Sequence, residues 1–231
     1  MADQPLSGSR GAGGAPATGR AAALVARCDD ALRASASVRL LAELSDGSVD
    51  AGTFARYLVA EHAFVRTAAR LAGYCLWQQP EWSLAVRHAD AVADLVGPQE
   101  AYFAASLADR PVDGAAATAV LDHASVLRTT VVAALADGGY PAVIASLAAA
   151  ETLYLRWCTE AAALAVERPA AVQRWIDLHT TPGFRAQVAF LHELLDDLPA
   201  PVTDAELDGW FRDMLVAEDA FHASPYVEVA R

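Results

Sequence analysis

Apolar residues recur at helical spacing through the segment 140–163, which reads YPAVIASLAAAETLYLRWCTEAAA. Steps of three and four residues place Val143, Ile144, Leu147 and Tyr154 on one face of an α-helix. Ala and Leu dominate the composition, and runs of β-branched residues are few. These features predict an all-α protein, and 231 residues supply ample material for a core.

Turn signals such as Ser-Asp-Gly-Ser, Gly-Pro and Asp-Gly-Gly divide the chain into segments. We predict helices over residues 20–44, 50–77, 81–95, 98–109, 115–136, 140–163, 169–180, 183–196 and 203–224. Residues 1–20 are rich in Gly, Ala, Ser and Pro, which predicts a disordered N-terminal tail. No linker is long enough to separate two cores, so we expect residues 21–231 to form one helical domain.

Glu151 lies on the apolar stripe of the segment 140–163, four residues after Leu147 and three before Tyr154. A carboxylate on a core face must be paired, hydrogen-bonded, neutralised by a raised pKa or open to a cavity, because burying a bare charge is costly. Glu61 and Glu218 repeat this arrangement on two other predicted helices, each with an aromatic residue three positions later. Three acids therefore each replace an apolar residue on a core face.

Two interpretations of these acids are open. Each could lie at the edge of its stripe and pair with a nearby Arg, or the three could line one acidic and aromatic pocket. Their threefold recurrence favours the shared pocket. Such a pocket suits a flat basic heterocycle, and a desolvated Glu with a raised pKa can act as a general acid or base near neutral pH.

The net charge is −12, and all 17 basic residues are Arg. This balance argues against nucleic acid or an anionic membrane surface as a partner. No apolar run reaches the roughly 18 residues expected of a membrane span, and the N-terminus lacks a signal-peptide pattern. The three cysteines are far apart, as is typical of reduced thiols. We therefore expect a soluble, cytoplasmic protein.

Four segments resemble the thiaminase II (TenA) family, in this order along the chain: GSVDAGTFARYLVAEHAF (47–64), AAAETLYLRWC (148–158), RWIDLHTTPGFRAQVAFL (174–191) and VAEDAFHASPY (216–226). The resemblance spans residues 37–227 and implies the haem-oxygenase-like all-α fold. Members of this family hydrolyse aminopyrimidines related to thiamin and release a hydroxymethylpyrimidine for salvage. The resemblance also implies a homodimer or homotetramer that needs no cofactor and no metal.

The family divides by its catalytic residue, and this chain resembles the branch that uses Glu. The other branch carries a nucleophilic Cys in a Pro-Cys pair, where this sequence reads Ala149-Ala150-Glu151. The resemblance implies Glu151 and Glu218 as catalytic residues that move protons, and Glu61 as the anchor of the substrate ring. The other residues that it implies around the ring are Tyr57, Phe64, Tyr154, His179 and Phe221.

Two tyrosines of the Cys branch correspond to Leu127 and His179, so a repurposed or non-catalytic heterocycle-binding protein is an alternative. A third possibility is a non-haem iron oxidase, because relatives of this fold bind two irons through Glu and His ligands. Asp219 and His222, together with Glu61, His62 and Glu151, suggest it, although Leu215 stands where a further His would be needed. We expect the tryptophans in the core or at a subunit interface, with Trp157 and Trp210 the two best placed to line the pocket, and His222 either to orient Glu218 or to complete a core contact.

Overall fold

The computed structural model describes residues 19–199 and 201–228, and this part of the chain contains helices and connecting turns but no strand. The all-α prediction is confirmed. The α-helices are α1 (Arg20–Arg27), α2 (Asp29–Ala36), α3 (Arg39–Asp46), α4 (Ala51–Gln78), α5 (Trp82–Asp94), α6 (Glu100–Ala108), α7 (Gly114–Ala162), α8 (Ala170–Leu178), α9 (Pro182–Asp196) and α10 (Asp204–Ala223). A short 3₁₀ turn, Ser224–Tyr226, follows α10.

The predicted helix over residues 20–44 is three helices in the structure. The chain bends at Cys28 and again at Ser37, where the backbone leaves the helical region (φ −100° and −107°). Cys28 is buried at the first bend, so the break serves packing rather than a local turn signal. The predicted tail lies outside the described residues as far as position 18, whereas Arg20 already belongs to α1 and pairs with Asp204 at 2.8 Å.

The two predicted helices 115–136 and 140–163 follow one another in α7 with a bend at Gly139. This glycine has φ 60° and ψ −138°, a conformation that L-residues with a Cβ rarely adopt. Trp210 of α10 closes the bend from outside, because its indole N–H donates to Asp137 Oδ2 at 3.0 Å. The Gly-Gly pair of the sequence therefore divides α7 into two helical segments that meet at a kink at Gly139, as the sequence predicts.

The Gly97-Pro98 pair was expected to separate two helices, and the structure differs here as well. A π-helical turn, Leu95–Gln99, joins α5 to α6. A π-turn accommodates the missing N–H of proline within a helical path, and such turns are frequent at functional sites. This turn contributes Leu95, Pro98 and Gln99 to the cavity described below.

Helix α7 is the central element, and it packs against α10, α4 and α9 along its length and against α3 and α8 near its end. Its half after Gly139 is the most buried stretch of the fold and carries Ile144, Leu153 and Trp157 into the core. By length and composition α7 could also cross a membrane, contrary to the sequence expectation. In this fold, however, α7 is the core helix of a bundle.

Candidate active site

Glu61, Glu151 and Glu218 line a single cavity of about 710 Å³. They lie on α4, α7 and α10, and α7 packs against both other helices, so the three apolar stripes face one another. Glu61 and Glu218 are 7% and 1% exposed, whereas Glu151 is partly accessible from the cavity. The structure thus brings the three acids together and excludes the interpretation of three separate surface pairs with Arg.

The Tyr154 hydroxyl is the centre of a hydrogen-bond network at the base of the cavity. It donates to Glu61 Oε1, and it lies 3.0 Å from the Tyr57 hydroxyl and 3.2 Å from His222 Nε2. These groups come from α4, α7 and α10, so the network connects the same three helices as the acids. A buried network of this kind fixes the orientation of Glu61.

Burial raises the pKa of Glu61 to about 7, although the hydroxyls of Tyr154 and Tyr57 partly oppose this effect by stabilising its charged form. Burial also raises the pKa of Glu151 to about 7, and the nearby charge of Glu61 adds to the rise. The pKa of Glu218 is also raised well above its usual value, by burial and then by the charges of Glu61, Glu151 and Asp219. Near neutral pH, protons are therefore shared within this cluster.

Aromatic rings form the walls of the cavity above the acids. The lining rings are Phe64, Tyr102, Phe103, Tyr154, Trp175, His179 and Phe184. Trp175 is at their centre, since its ring centroid lies 4.4 Å from that of His179, 5.7 Å from Phe103 and 6.0 Å from Tyr102. Flat walls of this kind favour a planar ligand.

His179 presents a neutral ring to the cavity. Burial lowers the pKa of His179 to about 4, and its Nδ1 lies 2.8 Å from the carbonyl oxygen of Trp175. Because only an N–H can pair with a carbonyl, the proton resides on Nδ1 and Nε2 is an acceptor. His179 therefore offers a hydrogen-bond acceptor beside the ring of Tyr154, whose centroid is 5.2 Å away.

Two of the residues expected around the substrate ring do not line the cavity. Tyr57 is fully buried behind Tyr154, and Phe221 packs behind Phe64 with a centroid distance of 6.3 Å. They support the lining residues instead of facing a ligand. The expected tryptophans Trp157 and Trp210 do not line it either, because Trp157 is buried in the core and Trp210 covers the bend of α7.

Apolar side chains lie where the resemblance would place the nucleophilic Cys and one tyrosine of the Cys branch. Ala150 and Leu127 both line the cavity. Cys158 lies two turns further along α7 and is fully buried, and burial raises the pKa of its thiol well above the usual value. Since the thiolate is the reactive form, Cys158 is unsuited to act as a nucleophile.

Charged residues near the outer part of the cavity were not identified from the sequence. They are Arg87, Asp90 and Asp94 on α5 and Arg174 on α8, together with the amides of Gln99 and Gln187. Each lies on a helix that approaches the acids from a distant part of the chain, and no local pattern distinguishes them from ordinary surface charges.

The histidines of the iron interpretation, His62 and His222, do not line the cavity with the acids. His62 faces away from the acids, where its ring stacks on Phe103 at 5.5 Å and its Nε2 lies 2.9 Å from Glu100. His222 contacts Tyr154 rather than Asp219. Within residues 19–199 and 201–228, no group of three or more His, Cys, Asp or Glu side chains is arranged to hold a metal ion.

No protein-family profile and no curated protein matches this sequence. Solved structures do match its fold. A TenA homologue from Pyrococcus furiosus has a TM-score of 0.72 at 15% identity, covering 90% of this chain and 100% of its own length. A TenA homologue from P. horikoshii OT3 has a TM-score of 0.78 at 13% identity, covering 90% and 99%.

A third match is a protein from Silicibacter sp. TM1040 described as a TenA family transcription regulator. Its TM-score is 0.80 at 18% identity, covering 92% of this chain and 99% of its own. At identities this low, structural similarity establishes the fold rather than the activity. The chain therefore has the haem-oxygenase-like all-α fold of TenA homologues, as its resemblance to the thiaminase II family implied.

Proposed function

We propose that this protein is a hydrolase of the thiaminase II type that cleaves the exocyclic C–N bond of an aminomethylpyrimidine or its N-formyl derivative. The observation that carries the proposal is the placement of Glu61, Glu151 and Glu218 around one aromatic cavity. Three carboxyl groups whose pKa values are raised supply both an acid and a base near neutral pH.

Glu61 is the proposed anchor of the substrate ring. Its Oε1 accepts a hydrogen bond from Tyr154, which leaves Oε2 to bind an amino group or a protonated ring nitrogen. The ring itself would stack against the aromatic walls, and His179 would accept a further hydrogen bond from it. This arrangement would place the exocyclic carbon near the two remaining acids.

Glu151 and Glu218 would divide the proton transfers between them. Glu151, which is accessible from the cavity, would take a proton from water as the water oxygen attacks the exocyclic carbon. Glu218, whose pKa burial and the neighbouring acids raise well above its usual value, would start protonated and donate to the departing nitrogen. One C–O bond forms, one C–N bond breaks, and the products are the hydroxymethylpyrimidine and ammonia, or formamide from the formyl substrate.

The test is a hydrolysis assay of metal-free protein with the aminomethyl- and formylaminomethyl-pyrimidines. Glu151→Gln and Glu218→Gln should each lower kcat by about 10²-fold to 10⁴-fold, the usual contribution of a positioned acid or base. Glu160→Gln is the matched control, because Glu160 is exposed on α7 and pairs with Arg156 outside the cavity. Wild-type rates in either cavity variant would refute the assignment.

A binding protein without catalysis is the alternative, favoured by the apolar Ala150 and Leu127 in the wall where the Cys branch has reactive or polar groups. It predicts that a heterocycle added to the protein is retained and recovered unchanged. Release of ammonia from the same mixture would exclude this alternative.

We also expect a cytoplasmic location for such a salvage enzyme. Cys28, Cys75 and Cys158 are all free and buried, as is usual in a reducing compartment.

A further inference from the structure

His222 lies behind the cavity, one helical turn after Glu218 on α10. Its ring is 1% exposed and packs against the rings of Phe221, Tyr154 and Tyr57 at centroid distances of 5.7, 5.9 and 6.1 Å. His222 does not line the cavity. Any effect of His222 on chemistry there must therefore pass through the groups that it contacts.

The hydrogen bonds of Tyr154 determine which nitrogen of His222 carries the proton. A tyrosine hydroxyl has one proton, and Tyr154 gives it to Glu61 when Glu61 is ionised. The oxygen of Tyr154 must then accept from its other neighbours, Tyr57 and His222. Since an unprotonated ring nitrogen cannot donate, His222 Nε2 carries the proton.

The second nitrogen of His222 supports the same tautomer. Nδ1 is buried and has no hydrogen-bond partner among the described residues. Buried N–H groups without an acceptor are rarer in folded proteins than buried acceptors without a donor, which favours a bare lone pair on Nδ1. Burial lowers the pKa of His222 to about 3, so the ring is neutral at physiological pH.

Glu218 is the other group within reach of this N–H. Its Oε2 lies 3.8 Å from His222 Nε2 and is buried without a hydrogen-bond partner among the described residues. A distance of 3.8 Å exceeds that of a hydrogen bond, and a shift of about 1 Å would create one. Catalytic hydrogen bonds are often long in the ligand-free enzyme and shorten during reaction.

An ionised Glu218 needs such a donor. The titratable groups that face it are Glu61 from α4, Glu151 and Tyr154 from α7, and Asp219 from α10 itself. None of these groups is a cation, and all the acids among them oppose a negative charge on Glu218. The N–H of His222 is the neutral donor placed to stabilise the carboxylate.

We propose that His222, in its Nε2–H tautomer, is a positioning residue that donates to the Tyr154 hydroxyl at rest and to the Glu218 carboxylate after Glu218 has released its proton. His222 thereby couples the acid that protonates the leaving group to the network that holds Glu61. The donation to Glu218 during turnover rests on the proposed hydrolysis, whereas the position of the His222 proton on Nε2 does not.

The first test is ¹⁵N NMR of protein labelled at histidine, with the His222 signals assigned by their loss in His222→Gln. The proposal requires a neutral ring protonated on Nε2 between pH 8 and 9, a window in which Glu61 is ionised and which lies above the lowered pKa of His222. A ring protonated on Nδ1, or an imidazolium in this range, would overturn it. This test needs neither substrate nor turnover.

The second test compares His222→Leu, which removes the N–H, with His222→Gln, which keeps an N–H donor near the position of Nε2. The titration of Glu218 is followed by ¹³C NMR of its carboxyl carbon, assigned by Glu218→Gln. In His222→Leu the midpoint should rise by about one pH unit or more, since the anion loses its donor. In His222→Gln it should stay near that of the wild type.

Activity gives the third readout. His222→Leu should lower kcat for the aminomethylpyrimidine by about tenfold or more with little change in KM, and His222→Gln should restore most of it. If Glu218 titrated with the same midpoint in the wild type, His222→Leu and His222→Gln, the positioning role would be refuted even if kcat fell. Wild-type protein that shows the expected tautomer and midpoints but no hydrolysis would instead refute the proposed function and leave the role of His222 intact.

Discussion

A buried carboxylate is costly, and Glu61 shows how this fold retains one. The side chain is 7% exposed, and its principal partners are hydroxyl groups rather than a cation. Two tyrosine hydroxyls stabilise the charged form only in part, so burial still raises its pKa to about 7. The ionised form of Glu61 is therefore destabilised in the folded protein, and carboxyl groups with raised pKa values are common at functional sites.

The raised pKa of Glu61 predicts that the Glu61→Gln protein becomes more stable relative to the wild type as pH rises. In the unfolded chain Glu61 ionises near pH 4.3, whereas in the folded chain it ionises at about 7. Between these values the folded state holds a proton that the unfolded state releases, so the wild type loses stability as pH rises. The full effect is on the order of 3 kcal/mol above pH 7.

Urea unfolding of both proteins at pH 4.5, 6 and 8 measures this difference. Glu43→Gln on α3 is the control, because Tyr226 and Arg39 hold the pKa of Glu43 below its usual value, so that ionisation of Glu43 does not destabilise the folded state as pH rises. The difference from the wild type should grow with pH for Glu61→Gln only. A difference that is constant across the window would show that Glu61 ionises at an ordinary pKa.

Among the elements, α7 shows how one backbone position sets the geometry of the site. Gly139 redirects the helix, so that Glu151 and Tyr154 are carried into the core between α4 and α10. Its ψ of −138° at φ 60° is accessible to glycine and strained for residues with a Cβ. Trp210 covers this bend, and a Cβ on the neighbouring Gly138 would lie 2.2 Å from its ring.

We expect Gly139→Ala to lower the free energy of unfolding by about 1–3 kcal/mol, the usual cost of a strained backbone conformation. The matched control is Gly209→Ala in α10, an exposed helical position with open space around it. That substitution should stabilise the protein by about 0.5–1 kcal/mol, because Ala has the higher helix propensity. Thermal unfolding compares the two, and a stable Gly139→Ala protein would show that the bend is not constrained.

The extent of the helices was largely predictable, and the exceptions have physical causes. The bounds of α4 and α10 follow from Asp50 and Thr203, side chains that cap the first turn as their sequence patterns predict. The breaks at Cys28 and Ser37 have no Gly or Pro signal, so periodicity alone predicts one helix there. Packing against neighbouring helices determines where these two breaks fall, and local sequence patterns do not predict that packing.

At the scale of the whole molecule, the base of the cavity was predictable and its walls only in part, since Phe64, Tyr154 and His179 were expected from the sequence and the other lining rings were not. Glu61, Glu151 and Glu218 interrupt apolar stripes, and a helical repeat shows such interruptions directly. Trp175 and Arg174 look like ordinary residues of α8 in the sequence. They reach the cavity only because α8 packs against the end of α7, a long-range contact that no local pattern encodes.

Self-association stays a prediction at this scale. Trp77 and Trp82 are 83% and 79% exposed, and Val216 of α10 is 68% exposed. Exposed apolar groups of this size commonly mark contacts between subunits. Light scattering should show a dimer or tetramer at micromolar concentration, and a monomer at every concentration would contradict this expectation.

The central claim is that one acid and one base, both with raised pKa values, act together on a heterocyclic amine. The most direct measurement is the pH dependence of kcat/KM for hydrolysis of the aminomethylpyrimidine by the wild-type protein. Glu151 must be ionised and Glu218 protonated, so we predict a bell-shaped profile whose lower limb lies near pH 7. A profile already flat from about pH 5 upward, or no hydrolysis at any pH, would contradict the account.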